Sequence, residues 1–341
     1  MGQIMRNERI DIVRFIGLSM IIFAHVDPPR ILFQLRNFDV PLMILVSAMS
    51  FSLSYKTHES YSSYVWKRVK RLVFPVWIFL SFYFLALFVL DPVNKELQAT
   101  TVLTSYTLLE GIGYVWVIRV FLLVALISPF IFAWHQNTAS ESKYFGALGG
   151  SLLLYEIVRY FSMPYIWQGA GEIAAAVLLY VIPYGLLFAI GLRMANATRS
   201  QLYAIAGISL GIFTFAGTGL FLFNGEFIPT QSLKYPPSIY YFSYALFISS
   251  LLWIYSERIE YFLEQINIKN VVLFIASNSI WIYLWHIPFI KHIHTHYVFK
   301  FFIVFTSAVV VTYVQISLVS RLLKHIDRVA LKKNIKILFT G

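Results

Sequence analysis

Long apolar stretches recur along the whole chain, and their length is the feature that most limits its fold. We identify ten such runs, each about long enough to cross a ~30 Å hydrocarbon core. They are residues 10–26, 40–55, 72–90, 114–134, 145–161, 174–192, 202–223, 238–255, 271–288 and 298–320. The runs are near-continuous rather than alternating, which indicates helices instead of barrel strands. The sequence therefore predicts an all-α integral membrane protein with a bundle of about ten transmembrane helices.

The composition excludes several classes of protein. Hydrophobic residues make up 59% of the 341 residues and charged residues only 13%, whereas soluble domains carry about 25% charged residues. An ordinary soluble enzyme and a disordered protein are therefore excluded. The chain contains no cysteine, so a disulfide scaffold, a thiolate zinc site and a cysteine nucleophile are excluded as well.

Positive charges predict the orientation in the membrane. The N-terminal segment, the even-numbered loops and the tail hold 18 of the 27 Lys and Arg residues, against 6 in the odd-numbered loops. Cytoplasmic loops carry such an excess, so we expect both termini to be cytoplasmic. The first run contains Arg14 and is followed by Asp27, two prolines and Arg30 instead of a small-residue cleavage site, so it is interpreted as a retained helix.

Short connections predict one membrane domain over residues 1–320 and a basic cytoplasmic tail over residues 321–341. The tail has Leu322, Ile326, Val329 and Ala330 at helical spacing among basic residues, which favours a helix on the inner membrane surface. A solvated tail that only enforces topology is the open alternative.

Ionisable residues in the first run are candidates for function, because a charge at mid-membrane costs at least about 2.5–3.5 kcal/mol. Asp11 and Arg14 are three residues apart and can pair on one helix face. His25 lies eleven residues after Arg14, close to three turns, and therefore shares that face. The spacing is compatible with a snorkelling pair and a capping histidine, or with a polar track that ends in a titratable imidazole.

The second inner loop contains Lys67, Arg68, Lys70 and Arg71 directly before an apolar run. Such a cluster enforces topology and contacts anionic lipids. Because Arg68 and Arg71 are one helical turn apart, they also suit joint binding of one phosphate group.

Further polar and aromatic residues fall toward the outer side. Arg119 and His286 lie near the outer ends of their runs, where a packed histidine is the usual interpretation of His286. Glu172 follows Trp167, and Lys234 precedes Tyr235, so these pairs suit a sugar, although aromatic residues also populate membrane interfaces.

A metal site is not predicted. The chain has no Walker-type loop and no G-x-S-x-G motif, which argues against an ATPase or a serine hydrolase.

These blocks together resemble the integral-membrane acyltransferase-3 family, particularly a bacterial subgroup that includes polysaccharide O-acetyltransferases. Arg14, ten intervening residues and His25 match its first-helix signature. The other matching blocks are residues 37–47, 67–75, 114–121, 234–241 and 283–286. The resemblance covers about residues 9–320, with Ala48 standing where the family usually has glycine. It implies transfer of an acyl group, usually acetyl, from cytoplasmic acyl-CoA to a sugar hydroxyl at the outer side.

The resemblance also implies roles for individual residues. His25 would be the general base, or alternatively an acyl-histidine nucleophile. Arg119 would stabilise the oxyanion or position the acceptor, and Asp11 would orient Arg14. The donor would be held by Lys67, Arg68, Arg71 and, along its pantetheine arm, Arg14. Acceptor contacts are expected from Asn37, Trp116, Glu172, Lys234, Tyr235 and His286.

Two other functions remain open from the sequence. The first is a transporter or flippase for a lipid-linked glycan, although no internal repeat of the kind common in transporters is evident. The second is a non-catalytic membrane scaffold. The expected setting is the bacterial cytoplasmic membrane, with acetyl-CoA as donor substrate, a glycan acceptor, lipid contacts, no permanently bound cofactor and no nucleic acid. The sequence identifies neither the glycan nor the oligomeric state.

Overall fold

The computed structural model describes residues 7–55 and 59–340, and this part of the chain consists almost wholly of helices, with no β-strand. Its α-helices are α1 (Glu8–Ala24), α2 (Arg30–Leu35), α3 (Asp39–Ser54), α4 (Tyr61–Leu90), α5 (Ala99–Tyr106), α6 (Trp116–Asn137), α7 (Glu141–Ser162), α8 (Gly169–Met194), α9 (Arg199–Asn224), α10 (Ile239–Gln265), α11 (Lys269–Ser277), α12 (Ser279–His292), α13 (Tyr297–Leu322) and α14 (Val329–Thr340). Short 3₁₀ helices cover Lys95–Leu97, Met163–Tyr165, Thr230–Leu233 and Leu323–His325. The all-α membrane fold is confirmed.

The number of membrane spans differs from the predicted ten. Within the described ranges, seven helical stretches are long and apolar enough to cross a membrane. They are Arg30–Ser54, Tyr61–Leu90, Trp116–Asn137, Gly169–Met194, Arg199–Asn224, Ile239–Gln265 and Tyr297–His325. An eighth arises if α11 and α12, which are bent by 85° at their junction, form one span.

The remaining two predicted runs are helical but less suited to crossing. Helix α1 has only 17 residues, shorter than the ~20 residues of a typical span, and it carries Arg9, Asp11 and Arg14. Helix α7 has 22 residues but includes acidic and basic side chains near both ends. Ten spans are therefore not confirmed, and the cytoplasmic placement of both termini stays a prediction.

The chain divides into two compact units. Unit 1 comprises Met1–Ile21, Pro29–Thr57 and Leu126–Asn270, and unit 2 comprises Ile22–Pro28, His58–Ala125 and Val271–Gly341. Helices α1 and α6 each contribute residues to both units.

In unit 1, α9 packs along α10 and α3 packs along α8. The α3–α8 contact depends on a small residue, because a Cβ at Gly191 would lie only 2.8 Å from Ala48 Cβ and 2.9 Å from the Leu45 carbonyl oxygen. Small residues allow such close approach between helices in membranes. Ala48 is fully buried, and Gly191 provides the space for its methyl group.

In unit 2, α12 packs along α13, and α14 packs against α13 and α4. The last turn of α14 is anchored by side chains. Trp281 Nε1 donates to the Leu338 carbonyl at 3.1 Å, and Gln315 Nε2 donates to the Phe339 carbonyl at 2.8 Å. The rings of Trp281 and Phe339 stack with centroids 6.1 Å apart. These bonds satisfy carbonyls that a helix end leaves open, so this end of the tail is part of the helical packing of unit 2.

Candidate active site

His25 lies in the turn that ends α1 and belongs to unit 2, where it contacts two rings of the same unit. Its backbone N–H donates to the Ile22 carbonyl at 3.0 Å. Its Nδ1 lies 3.0 Å from Nε2 of His286, and the two ring planes are inclined by only 19°. The Tyr114 ring meets His25 edge-on, with centroids 4.8 Å apart. His286 is fully buried whereas His25 is partly exposed, so the structure places a held but accessible imidazole here.

One residue of α12 fixes both neighbours of His25. The Tyr283 carbonyl oxygen is hydrogen-bonded to Nδ1 of His286. The Tyr283 hydroxyl donates to the Tyr114 carbonyl at 2.6 Å. The orientation of the imidazole therefore depends on tertiary contacts between α12 and the segment before α6, in addition to α1 itself.

A partly buried ion pair lies near the Tyr114 ring. Lys291 pairs with Glu96 and donates to the Tyr83 hydroxyl at 2.9 Å, and that hydroxyl donates to Glu96 at 2.6 Å. The Lys291 ammonium nitrogen lies 5.4 Å from the centre of the Tyr114 ring. A cation at that distance is attracted to the ring face, so the cluster holds Tyr114 against His25.

Arg119 is engaged with the loop that precedes its own helix α6. Its Nη1 donates to the carbonyls of Leu108, at 3.2 Å, and Leu109, at 2.8 Å. Leu108 has a positive φ of 59°, a conformation that branched residues rarely adopt, and the guanidinium caps the carbonyls of this turn. The observed contacts are structural, and the oxyanion role of Arg119 stays a prediction.

The basic residues of the second inner loop form the beginning of α4. Lys67 is exposed and pairs with Glu59, and this hydrogen bond lowers the pKa of the Glu59 carboxyl below its ordinary value. The Arg68 guanidinium lies 4.9 Å from the centre of the Tyr64 ring. Arg68 and Arg71 are one turn apart on a continuous helix, and their joint contact to a phosphate group stays a prediction.

Arg14 lies in unit 1 and is paired on its own helix face. It forms the predicted ion pair with Asp11, which is buried, and it donates to Ser50 Oγ of α3 at 2.6 Å. The ion pair has the i, i+3 spacing that places both side chains on one helix face, and the functional role of Asp11 stays a prediction.

Lys234 lies in a buried charge cluster of unit 1. Its ammonium is 3.2 Å from Asp39, and Asp39 accepts from Arg36 at 2.7 Å and from the Val40 amide at 2.8 Å. Burial lowers the pKa of Lys234 to about 8, although the neighbouring Asp39 opposes this shift. The cluster fixes the segment after Thr230–Leu233 to the start of α3.

Asn37 belongs to the adjacent hydrogen-bond network and is fully buried. Its Nδ2 donates to Thr230 Oγ1 at 2.9 Å and to Gln34 Oε1 at 3.2 Å. The sequence pattern proposes both Asn37 and Lys234 as acceptor contacts, but their observed partners are internal.

The other proposed acceptor residues include exposed side chains, unlike the buried Asn37 and Lys234. Glu172 is exposed in the first turn of α8, and Trp116 begins α6. The Tyr235 ring lies 5.6 Å from the Lys234 ammonium.

Within residues 7–55 and 59–340, no three His, Asp or Glu side chains are placed to hold a metal ion.

A family model described as an acyltransferase domain matches residues 7–321. The chain belongs to the acyltransferase-3 family. The match agrees with the resemblance inferred over residues 9–320, and it makes the protein a multi-pass membrane acyltransferase. No curated protein and no solved structure matches the chain significantly. Membership of the polysaccharide O-acetyltransferase subgroup stays a prediction.

Sequence reasoning on this acyltransferase missed the contacts around His25. Tyr114 and His286 belong to family-like blocks, but nothing in the spacing shows that they meet His25, from which His286 is separated by 261 residues. For the ion pair between Glu96 and Lys291, the sequence gives only a weak indication, namely opposite charges in two predicted outer loops. The departure at Ala48 has a structural explanation, since Gly191 on α8 supplies the space.

Proposed function

We propose that this acyltransferase moves an acetyl group from cytoplasmic acetyl-CoA to a sugar hydroxyl of a cell-envelope polysaccharide or lipid-linked glycan. The observation that carries the proposal is His25, a partly exposed imidazole held by Tyr114 and His286 in a member of the acyltransferase-3 family. The proposed setting is the bacterial cytoplasmic membrane.

The donor is recognised by charge at the start of α4. The nucleotide end of acetyl-CoA carries several phosphate charges, and Arg68 and Arg71 suit such an anion with charge-assisted hydrogen bonds. Lys67 adds a third cation near this turn. Arg14, held by Asp11 and Ser50, is assigned to the pantetheine arm.

The chemical step needs one proton acceptor. The acceptor hydroxyl gives its proton to the His25 imidazole as its oxygen attacks the thioester carbon. The new C–O bond forms, the C–S bond breaks, and the imidazolium returns the proton to the departing thiolate. Arg119 is the proposed donor to the oxyanion of the tetrahedral intermediate. A two-step route through an acyl-histidine uses the same residue as nucleophile.

Acetyl transfer is tested with purified protein and radiolabelled acetyl-CoA. His25→Ala is expected to lose transfer to envelope glycans while it inserts in the membrane and unfolds at the wild-type temperature. An active, normally inserted His25→Ala protein would refute the assignment. Mass spectrometry of envelope glycans from cells with and without the gene then identifies the acceptor and the acyl group.

Donor binding is tested separately by thermal shift. Acetyl-CoA at 100 times its Kd should stabilise the wild type by about 2.7 kcal/mol. Arg68→Gln with Arg71→Gln should weaken this response, whereas Lys143→Gln, an exposed cation at the start of α7, should leave it unchanged. A glycan transporter predicts no response to acetyl-CoA in any variant.

A further inference from the structure

The two ring nitrogens of His286 contact groups of opposite kinds. Its Nδ1 faces the Tyr283 carbonyl oxygen, which can only accept a hydrogen bond. Nδ1 therefore carries the proton, and Nε2 of the neutral ring holds the lone pair. The Nδ1 of His25 lies 3.0 Å from Nε2 of His286. Because Nε2 of His286 can only accept, Nδ1 of His25 must be the donor of this hydrogen bond.

We propose that His286 is a positioning residue that keeps His25 in the tautomer with its proton on Nδ1. In this tautomer, the lone pair of His25 lies on Nε2, which is the nitrogen that takes the proton of the acceptor hydroxyl. This inference rests on the proposed function, because it assigns the atom through which His25 acts. The observed contact of His286 is to the base itself, and its predicted contact to the acceptor is not needed for this role.

The geometry of the pair favours this role. The two rings are inclined by 19°, so the hydrogen bond can lie close to the plane of both rings. His286 is fully buried on α12, where its own orientation is fixed by the Tyr283 carbonyl one turn earlier. The Tyr114 ring stands nearly perpendicular to both imidazoles, at 77° to His25 and 84° to His286, and limits rotation of either ring.

The hydrogen bond from His25 to His286 also becomes stronger as the reaction proceeds. When His25 Nε2 takes the hydroxyl proton, the ring becomes positively charged, while the Nδ1 proton stays in place. The bond from Nδ1 to His286 then has a charged donor, and charge-assisted hydrogen bonds are roughly twice as strong as neutral ones. An interaction that strengthens in the transition state raises kcat rather than substrate affinity.

The kinetic test compares two substitutions at the same position. The amide oxygen of His286→Gln can accept the His25 Nδ1 proton, and this variant should keep kcat within about tenfold of wild type, whereas His286→Leu should lose on the order of 10²-fold or more. KM for acetyl-CoA should be unchanged in both. His292→Leu is the matched control, because His292 makes a similar bond to the Pro288 carbonyl on the same helix but is exposed. Equal kcat for wild type and His286→Leu would overturn the proposal.

A spectroscopic test does not depend on activity. In protein labelled with ¹⁵N-histidine, the His25 signals are assigned by difference from His25→Ala. They should show a protonated Nδ1 in the wild type and in His286→Gln, and a shift toward the other tautomer in His286→Leu. An unchanged spectrum in His286→Leu would overturn the positioning role, while an inactive His25→Ala would still support the proposed function. An active His25→Ala would instead refute the function.

Discussion

Gly191 on α8 lies against Ala48 on α3 so closely that a methyl group on Gly191 would come within 2.8 Å of the Ala48 Cβ. The Leu45 backbone, at 2.9–3.0 Å, leaves no alternative direction for that group. We expect Gly191→Ala to lower the free energy of unfolding by about 1–3 kcal/mol, the usual cost of overpacking a core. Thermal unfolding in detergent measures this loss of stability.

Gly207 on α9 is the control for that substitution. A Cβ at Gly207 would meet nothing within 4 Å, so Gly207→Ala should be neutral or should stabilise by up to about 1 kcal/mol through helix propensity. Ala48→Gly should recover only part of the Gly191→Ala loss, because the Leu45 backbone remains in the way. Equal stability of the two single alanine variants would contradict the proposed packing.

The Asp39 cluster predicts an order of stability among variants. Asp39→Asn leaves the buried Arg36 and Lys234 without a counter-charge, and breaking a buried pair in this way costs about 3–5 kcal/mol. Lys234→Met leaves the Arg36–Asp39 pair intact and should cost clearly less. Chemical unfolding of both variants in the same detergent checks the order. A Lys234→Met protein that is less stable than Asp39→Asn would contradict it.

The lowered pKa of Lys234 predicts a dependence on pH. Its pKa is about 8 in the folded protein against an ordinary value of 10.5. Between pH 8 and pH 10.5, the unfolded chain therefore holds a proton that the folded chain has lost, and stability rises with pH. The Tm of wild type relative to Lys234→Met should accordingly increase between these values. A difference that is constant over this range would show that Lys234 titrates normally.

The absence of cysteine from the sequence allows a direct test of orientation. Glu226→Cys lies in a predicted outer loop and Ser142→Cys at the predicted inner end of α7, and both positions are exposed. A membrane-impermeant maleimide added to intact cells should label Glu226→Cys alone, and it should label both after permeabilisation. The reverse pattern would invert the predicted topology.

Much of the helical content was predictable because long apolar runs in a membrane protein must satisfy their backbone groups within each segment. All ten runs coincide with helices, although two of them are less suited to crossing. The 85° bend between α11 and α12 was not predictable, since residues 276–280 contain neither proline nor glycine. Such a bend arises from tertiary packing, which a local pattern does not encode.

The candidate site was predictable only in part. Helical spacing placed Asp11 beside Arg14, and their ion pair is present. Spacing along one helix has no information about a partner from a distant segment, so the contact of His25 with His286 was missed. Lys234 is a predicted ligand contact because it stands beside Tyr235, and Asn37 is one because the family resemblance implies it. Their burial in internal networks results from how the loop folds back on α2 and α3.

Tyr283 uses its carbonyl to hold His286 and its hydroxyl to hold the Tyr114 backbone. The two rings that flank His25 are therefore attached to a single residue of a single helix. The conformational entropy of ordering these rings is lost when the chain folds and not when substrate binds. Binding energy from the substrates then remains available for orienting them, which is the advantage of a preorganised site.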